Sequence, residues 1–119
     1  MSVHTRSQRL AQTAFSRIAA YGKPDKEYVS FAKKFPALIH TCGLAQAVAF
    51  ALAKKETAYV EDLAAVLKAS GHLEITSARA LDDQTQMQEL SGYLRLSRDA
   101  INAASWLKRY VEAAVGEDD

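Results

Sequence analysis

The sequence predicts an all-α protein, a compact bundle of five to six helices without a sheet, forming a single domain over residues 1–119. Three observations predict this fold. Apolar residues recur at the three-to-four-residue period of an amphipathic helix along most of the chain. Glycines stand at the ends of most of these periodic stretches, where helices stop. The composition, 49% hydrophobic and 24% charged with 5 Gly and 2 Pro, is that of a globular protein able to bury one core.

The first predicted helix covers residues 6–21 and is amphipathic. One arc of its helical wheel is apolar and includes Leu10, Ala14 and Ile18. A neighbouring stripe is cationic and consists of Arg6, Arg9 and Arg17. Gly22 and Pro24 are expected to end this helix.

The second predicted helix begins after Asp25, whose carboxylate is placed to accept hydrogen bonds from the free N–H groups of the first turn. One face of this helix is aromatic and apolar, with Tyr28, Phe31, Ala32 and Phe35. Pro36 has no N–H to donate, so the helix is predicted to break or kink there. Residues 36–41 are then expected to restart as a short helix, which Gly43 closes by adopting a positive φ.

Residues 44–53 are apolar at almost every position except Gln46. Such a helix has no solvent face, which predicts a central helix enclosed by neighbours on most sides. Lys54 and Lys55 suit its C-terminal turn, because cations stabilise the negative end of the helix dipole.

Thr57 is predicted to cap the next helix, which runs to about Ser70 and is terminated by Gly71. The brief alternation within residues 72–81 is too short to establish a strand. We interpret that stretch as a loop.

Residues 82–94 are predicted to be helical but weakened by Gly92. Ser97 is then predicted to cap a long last helix that Gly116 stops. Residues 117–119 form a short acidic tail that we expect to fray.

The charges are divided unequally along the chain. Residues 1–55 carry nine Lys and Arg against two acids, a net charge of +7, whereas residues 56–119 carry six against twelve, a net charge of −6. Such asymmetry indicates either a region that binds a polyanion or two surfaces of opposite sign that attract each other. The basic residues could also simply solvate two helices, but an ordinary solvated face mixes both signs, and here interleaved acids are nearly absent.

Residues that could perform catalysis are few and scattered: His4, His40, Cys42 and His72. His40 and Cys42 are two positions apart, which on a helix points them in different directions. No glycine-rich phosphate loop occurs. We therefore predict no catalytic residue, metal site, cofactor or small-molecule substrate, and a protein that is not an enzyme. An unrecognised hydrolase using His40 and Cys42 is the remote alternative.

A lone cysteine cannot form an internal disulfide, the start of the chain lacks the apolar segment of a signal peptide, and the longest apolar stretch is too short to span a bilayer. These features predict a cytoplasmic protein without membrane contact. Trp106 lies at the margin of the last predicted helix, where we favour a role at the core edge or in a subunit contact over base stacking.

Two runs of the sequence resemble a known family. Residues 34–39, Lys-Phe-Pro-Ala-Leu-Ile, are followed by residues 42–50, Cys-Gly-Leu-Ala-Gln-Ala-Val-Ala-Phe. Together they resemble the signature of the small, fifth subunit of the Cmr complex, the type III-B CRISPR-Cas effector. Tyr28 and the C-terminal Trp-Leu-Lys-Arg of residues 106–109 extend the likeness over most of the chain. One departure is Cys42, which stands where that family usually has an asparagine.

The resemblance implies a non-catalytic α-helical subunit that stacks with copies of itself and with other Cmr subunits in a filament. It further implies binding of CRISPR RNA and target RNA in antiviral defense, with sequence specificity supplied by base pairing. From charge and wheel position we predict that the RNA backbone is contacted by Arg17, Lys26, Lys33, Lys34, Lys54 and Lys55. The alternative is a pure protein-protein adaptor whose basic face docks an acidic partner without touching RNA.

Overall fold

Six α-helices and no strand occur in the computed structural model over residues 5–116, the part of the chain that the structure describes. The helices are α1 (Arg6–Ala19), α2 (Lys26–Cys42), α3 (Leu44–Ala53), α4 (Thr57–Ala69), α5 (Ala78–Met87) and α6 (Leu90–Val115). The predicted all-α bundle is confirmed. His4 and the acidic tail at 117–119 lie outside the described residues.

Helices α4 and α6 form the centre of the bundle. The 26 residues of α6 pack along α1, α2 and α4, while α4 touches each of the other five described helices. The face of α4 that enters the core is made of large apolar side chains with one acid among them: Tyr59, Val60, Asp62, Leu63, Val66 and Leu67. The core therefore lies between these two helices and the helices packed around them.

The helix at 44–53 is present, but the prediction that it is central was wrong. It packs against α2, α4 and α5 through one face, and Phe50 on another face is 46% exposed. Most of its other outward residues are alanines, and exposing a methyl group costs little. High average apolarity therefore did not require enclosure on every side.

The predicted break at Pro36 was also wrong, because α2 continues through that residue. Proline removes the hydrogen bond to the carbonyl four residues earlier and strains the turn. Buried side chains on both sides of it, Phe35 and Ile39, hold the helix against the core. The burial of these two side chains offsets the free-energy cost of proline within the helix.

The boundaries of the last two helices differ from the prediction. α5 begins at Ala78, inside the stretch interpreted as a loop, because the Ser77 hydroxyl accepts from the Ala80 N–H at 3.0 Å. Glu61 of α4 accepts from the Ala78 N–H at 3.0 Å. α6 begins at Leu90 and runs unbroken through Ser97, which is therefore not a cap. Two extended residues, 88 and 89, separate the helices without any glycine or proline to signal the break.

Two smaller expectations concern the ends of α3 and α4. Gly43 has φ 85° and ψ 159°, which confirms the predicted positive φ and explains the need for glycine. Gly43 has no side chain to cap α3, and the Ala45 N–H instead donates to the Tyr93 hydroxyl of α6 at 3.0 Å. Thr57 is the first residue of α4 rather than its cap, a position that Glu56 occupies.

Two serine-to-alanine substitutions should change stability in opposite directions. Ser77→Ala removes a real helix cap and should lower the free energy of unfolding by about 1 kcal/mol. Ser97→Ala should leave it unchanged or raise it by about 0.5–1 kcal/mol, because the buried Ser97 Oγ has no hydrogen-bond partner and alanine favours the helix interior. Chemical denaturation measures both. A loss of stability in Ser97→Ala would contradict the continuous α6.

Candidate nucleic-acid interface

A buried carboxylate fastens the basic first helix to the core. Asp62 of α4 is 1% exposed, and its Oδ1 accepts from Arg17 Nε at 2.7 Å. Its Oδ2 accepts from the Tyr21 hydroxyl at 2.7 Å and also from the Tyr28 hydroxyl. A buried charge is tolerated when it is paired and hydrogen-bonded. Asp62 therefore connects α1, α2 and the segment between them to α4.

A second buried carboxylate serves the other end of α1. Asp99 of α6 is 2% exposed, and its Oδ2 lies 2.7 Å from His72 Nε2 and 3.5 Å from Arg6 Nη1. Arg98 Nε lies 3.7 Å from Oδ1. Arg6 and Arg17 of the predicted cationic stripe of α1 are thus held by aspartates from the acidic half of the chain.

Burial and the nearby Asp62 charge raise the pKa values of three tyrosines. Burial is the larger cause for Tyr21, and the hydrogen bond to Asp62 adds to it, raising its pKa from 10.0 to about 12. The pKa of Tyr28 is raised further by deeper burial and by the same carboxylate. The pKa of the fully buried Tyr59 is raised by burial and then by Asp62, although its hydroxyl has no hydrogen-bond partner.

The candidate catalytic residues do not converge. His40 and Cys42 are both exposed at the end of α2, whereas His72 lies against Asp99. Over residues 5–116, no group of three His, Cys, Asp or Glu side chains is arranged to hold a metal ion. None of the described helices is long and apolar enough to cross a membrane.

The predicted backbone-contacting lysines lie on α2 and on the turn that follows α3. Lys26 and Lys34 are exposed, Lys33 is half-buried, and Lys54 and Lys55 are exposed in that turn. Because α2 and α3 pack together, Lys33, Lys34 and Lys54 surround one surface feature. Lys26 lies two turns before Lys33, about 10 Å along the helix axis. The remaining predicted contact, Arg17, belongs to the Asp62 cluster and keeps 43% of its side chain exposed.

That feature is an apolar groove of about 520 Å³ between α2 and α3, called here the α2–α3 groove. Aromatic and aliphatic side chains form most of its lining: Phe31, Phe35, Ala37, Leu38 and Phe50. Lys33 and Lys34 lie at its margin, and Lys54 Nζ is 5.6 Å from the centre of the Phe50 ring. This combination of aromatic rings and cations was not anticipated, because Phe50 was assigned to an enclosed helix.

Three large apolar side chains are exposed around the junction of α5 and α6. Met87 is 71% exposed, Leu90 72% and Leu94 57%, at a spacing of three and four residues along the end of α5 and the start of α6. We call this surface the apolar ridge. Several large exposed apolar side chains in one short segment of a small protein are candidates for contacts with other molecules.

Trp106 covers the edge of the core, in agreement with its interpretation from the sequence. It is half-buried and stacks on Tyr110 with ring centres 5.8 Å apart. The Arg109 guanidinium carbon lies 6.0 Å from the centre of its ring, and Phe15 of α1 meets Tyr110 edge-on at 5.4 Å. The stack thereby helps to join α1 to α6.

The fold is that of a small all-α protein, and its candidate binding features, the α2–α3 groove and the apolar ridge, lie on the surface. Comparison with known proteins identifies the family. The family model described as CRISPR-associated protein (Cas_Cmr5) matches residues 6–114. The CRISPR system Cmr subunit Cmr5 of Thermus thermophilus is 38% identical, over 97% of this chain and 100% of the relative.

A solved structure agrees with both findings. The crystal structure of a CRISPR-associated Cmr5 family protein from Thermus thermophilus superposes with a TM-score of 0.84 and 35% identity, covering 96% of this chain and 100% of that one. The chain belongs to the Cmr5 family, as the sequence resemblance indicated.

Removing the Tyr28 hydroxyl should destabilise the protein, whereas removing the Tyr59 hydroxyl should not. Tyr28→Phe loses a hydrogen bond to a buried charge, and we expect a loss of about 1.5–3 kcal/mol. Tyr59→Phe removes a buried hydroxyl without a partner, so the free energy of unfolding should stay constant or rise. Denaturant unfolding compares the two. Equal losses of unfolding free energy in the two variants would show that the hydrogen bond to Asp62 does not determine the stability change.

Stability should fall at alkaline pH. A raised folded-state pKa means that the folded protein holds a proton that the unfolded chain releases, so the stabilisation is complete below pH 10.0 and decreases as the pH rises towards the folded value of about 12 for Tyr21. Circular dichroism against pH measures the unfolding, and near-ultraviolet absorbance measures tyrosinate. Tyr21, Tyr28 and Tyr59, three of the 5 tyrosines, should ionise late, together with unfolding. Full ionisation of all five near pH 10 with the fold intact would contradict the burial argument.

Proposed function

We propose that this chain is a non-catalytic small subunit of a type III-B CRISPR-Cas (Cmr) effector complex acting in antiviral defense. The family membership and the identity of the Thermus thermophilus relative, a Cmr subunit, support this. The separation of the candidate catalytic side chains over the described residues is consistent with a binding role.

Within the complex, the chain braces guide and target RNA through a basic surface. The observation that carries this proposal is that residues 28–55 contain four lysines and no acid, and that three of them, Lys33, Lys34 and Lys54, lie at one groove between α2 and α3. Phosphates favour such an unmixed surface, and contacts to phosphate are independent of sequence. Base pairing between the guide RNA and the target RNA then supplies the sequence specificity. Arg17 can add a contact through its terminal nitrogens while its Nε remains on Asp62.

Contacts with other subunits, including copies of this chain, form the second part of the proposal. The apolar ridge of Met87, Leu90 and Leu94 is the surface best suited to such contacts, because covering three exposed apolar side chains is favourable. The opposite charges of the two halves would orient the approach of neighbouring subunits.

A second candidate function is a protein-protein adaptor that never touches RNA. The mostly apolar lining of the α2–α3 groove favours it, since a helix with acidic margins would fit an apolar groove edged by lysines. Photo-crosslinking of RNA in the assembled complex distinguishes the two. Crosslinks from RNA to α2 or α3 support bracing, and their absence with intact assembly supports the adaptor.

Reversing two lysine charges should weaken RNA binding and its salt dependence together. In the complex assembled with Lys33→Glu and Lys34→Glu, each lost phosphate contact should reduce the slope of log affinity against log salt by about one unit. Affinity measured at several salt concentrations provides the slope.

A matched control reverses two exposed cations on other helices, Arg79→Glu of α5 and Arg95→Glu of α6. The control changes the net charge equally, so it should lower affinity less and leave the slope nearly intact. If both pairs of substitutions behaved alike, a general charge effect rather than a defined surface would be responsible.

A further inference from the structure

Phe50 is an aromatic side chain held in an exposed position. It is 46% exposed, yet its ring lies nearly parallel to that of Phe31, with an angle of 16° and ring centres 6.4 Å apart. Phe31 is 6% exposed and in turn contacts the fully buried Phe35 and Tyr59. Phe50 is thus braced from behind by packed rings, which makes it a rigid flat surface at the mouth of the α2–α3 groove.

Cations surround this ring. The Lys54 ammonium lies over it at 5.6 Å, and Lys33 and Lys34 line the same groove. Among residues 5–116, no acidic side chain lines the groove, and the sequence has none between Glu27 and Glu56. An accessible aromatic face among unopposed cations is the arrangement that binds single-stranded nucleic acid, in which bases stack and phosphates pair with lysines.

We propose that the α2–α3 groove binds an unpaired base of single-stranded RNA on the ring of Phe50, with Lys33, Lys34 and Lys54 on the flanking phosphates. This inference rests on the proposed contact with RNA and extends it from the backbone to a base. Lys54 leaves the ring face when the base arrives, and it remains close enough to meet the adjacent phosphate.

The groove would accept any base. Its lining includes no amide or carboxylate that could read a base edge, and the Thr41 hydroxyl already donates to the Ala37 carbonyl at 2.9 Å. Stacking without hydrogen bonds to the base is tolerant of sequence. A subunit that serves guides of every sequence needs such tolerance. Single-stranded RNA supplies a partner for each feature of the groove, phosphates for the lysines and a base for the exposed ring of Phe50.

The test uses the full-length chain and two single-stranded probes of equal length, an oligouridylate and an abasic ribose-phosphate oligomer with the same charge. Phe50→Leu keeps an apolar side chain but loses the aromatic face, and Phe50→Trp enlarges that face. We expect Phe50→Leu to weaken oligouridylate binding by roughly tenfold, within the range for one stacked base, and Phe50→Trp to retain or strengthen it. Neither variant should change abasic binding or the salt slope, because no charge is altered. Circular dichroism checks that both variants fold.

Each other outcome overturns the inference. Equal oligouridylate affinity in Phe50→Leu and the parent chain would exclude stacking, as would a failure of the parent chain to prefer oligouridylate over the abasic probe. Loss of assembly in Phe50→Ala, with RNA binding unchanged, would assign the groove to a protein partner. If Lys33→Glu and Lys34→Glu weaken RNA binding but the Phe50 variants do not, this inference fails while the proposed function stands. If the lysine variants have no effect either, both fail.

Discussion

The arrangement of the bundle depends on two aspartates that are charged and almost completely buried. Asp62 and Asp99 come from the two central helices, and each needs a cation or hydrogen-bond donors close by. α1 supplies Arg17 to one and Arg6 to the other, so the first helix is fixed at both ends. Tyr28 adds a donor from α2, which links a third helix to the same carboxylate. Removing one partner of a buried ion pair lowers the free energy of unfolding by more than the intact pair adds to it. These contacts therefore specify where α1 lies.

This constraint changes the meaning of the charge asymmetry. Two ion pairs join the basic half to the acidic half inside a single molecule, a use of the charges that neither interpretation of the sequence had included. Arg6 and Arg17 pair with buried aspartates in this way, whereas Lys26 and Lys34 of α2 and Lys54 and Lys55 in the turn after α3 are exposed. Arginine suits pairing with a buried aspartate because its planar guanidinium group makes directed hydrogen bonds, whereas lysine is a hydrated point charge on the surface.

The peripheral position of α3 creates the surface on which the functional proposals depend. Because α4 and α6 occupy the centre, only one face of α3 is covered, and Phe50 is left at the edge of an apolar groove. Had α3 been enclosed, the aromatic rings and the lysines would not share one surface. The continuous α2 contributes as well, since its unbroken run through Pro36 forms the opposite wall of the groove, from Phe31 to Thr41.

The sequence by itself determined the all-helical class, a bundle of five to six helices, and the helix ends marked by local chemistry. Asp25 and Gly43 act over one turn of backbone, so their roles follow from neighbouring residues alone. The sequence also contained the two runs that resemble the family and the lysines that we predict to contact RNA. Only the tertiary structure decided which helices are central, that Ser97 lies within a helix and that Pro36 is tolerated. It also decided that Arg6 and Arg17 pair with buried aspartates. These outcomes depend on burial against residues distant in the chain, such as Asp62 with Arg17, and no local pattern encodes that proximity.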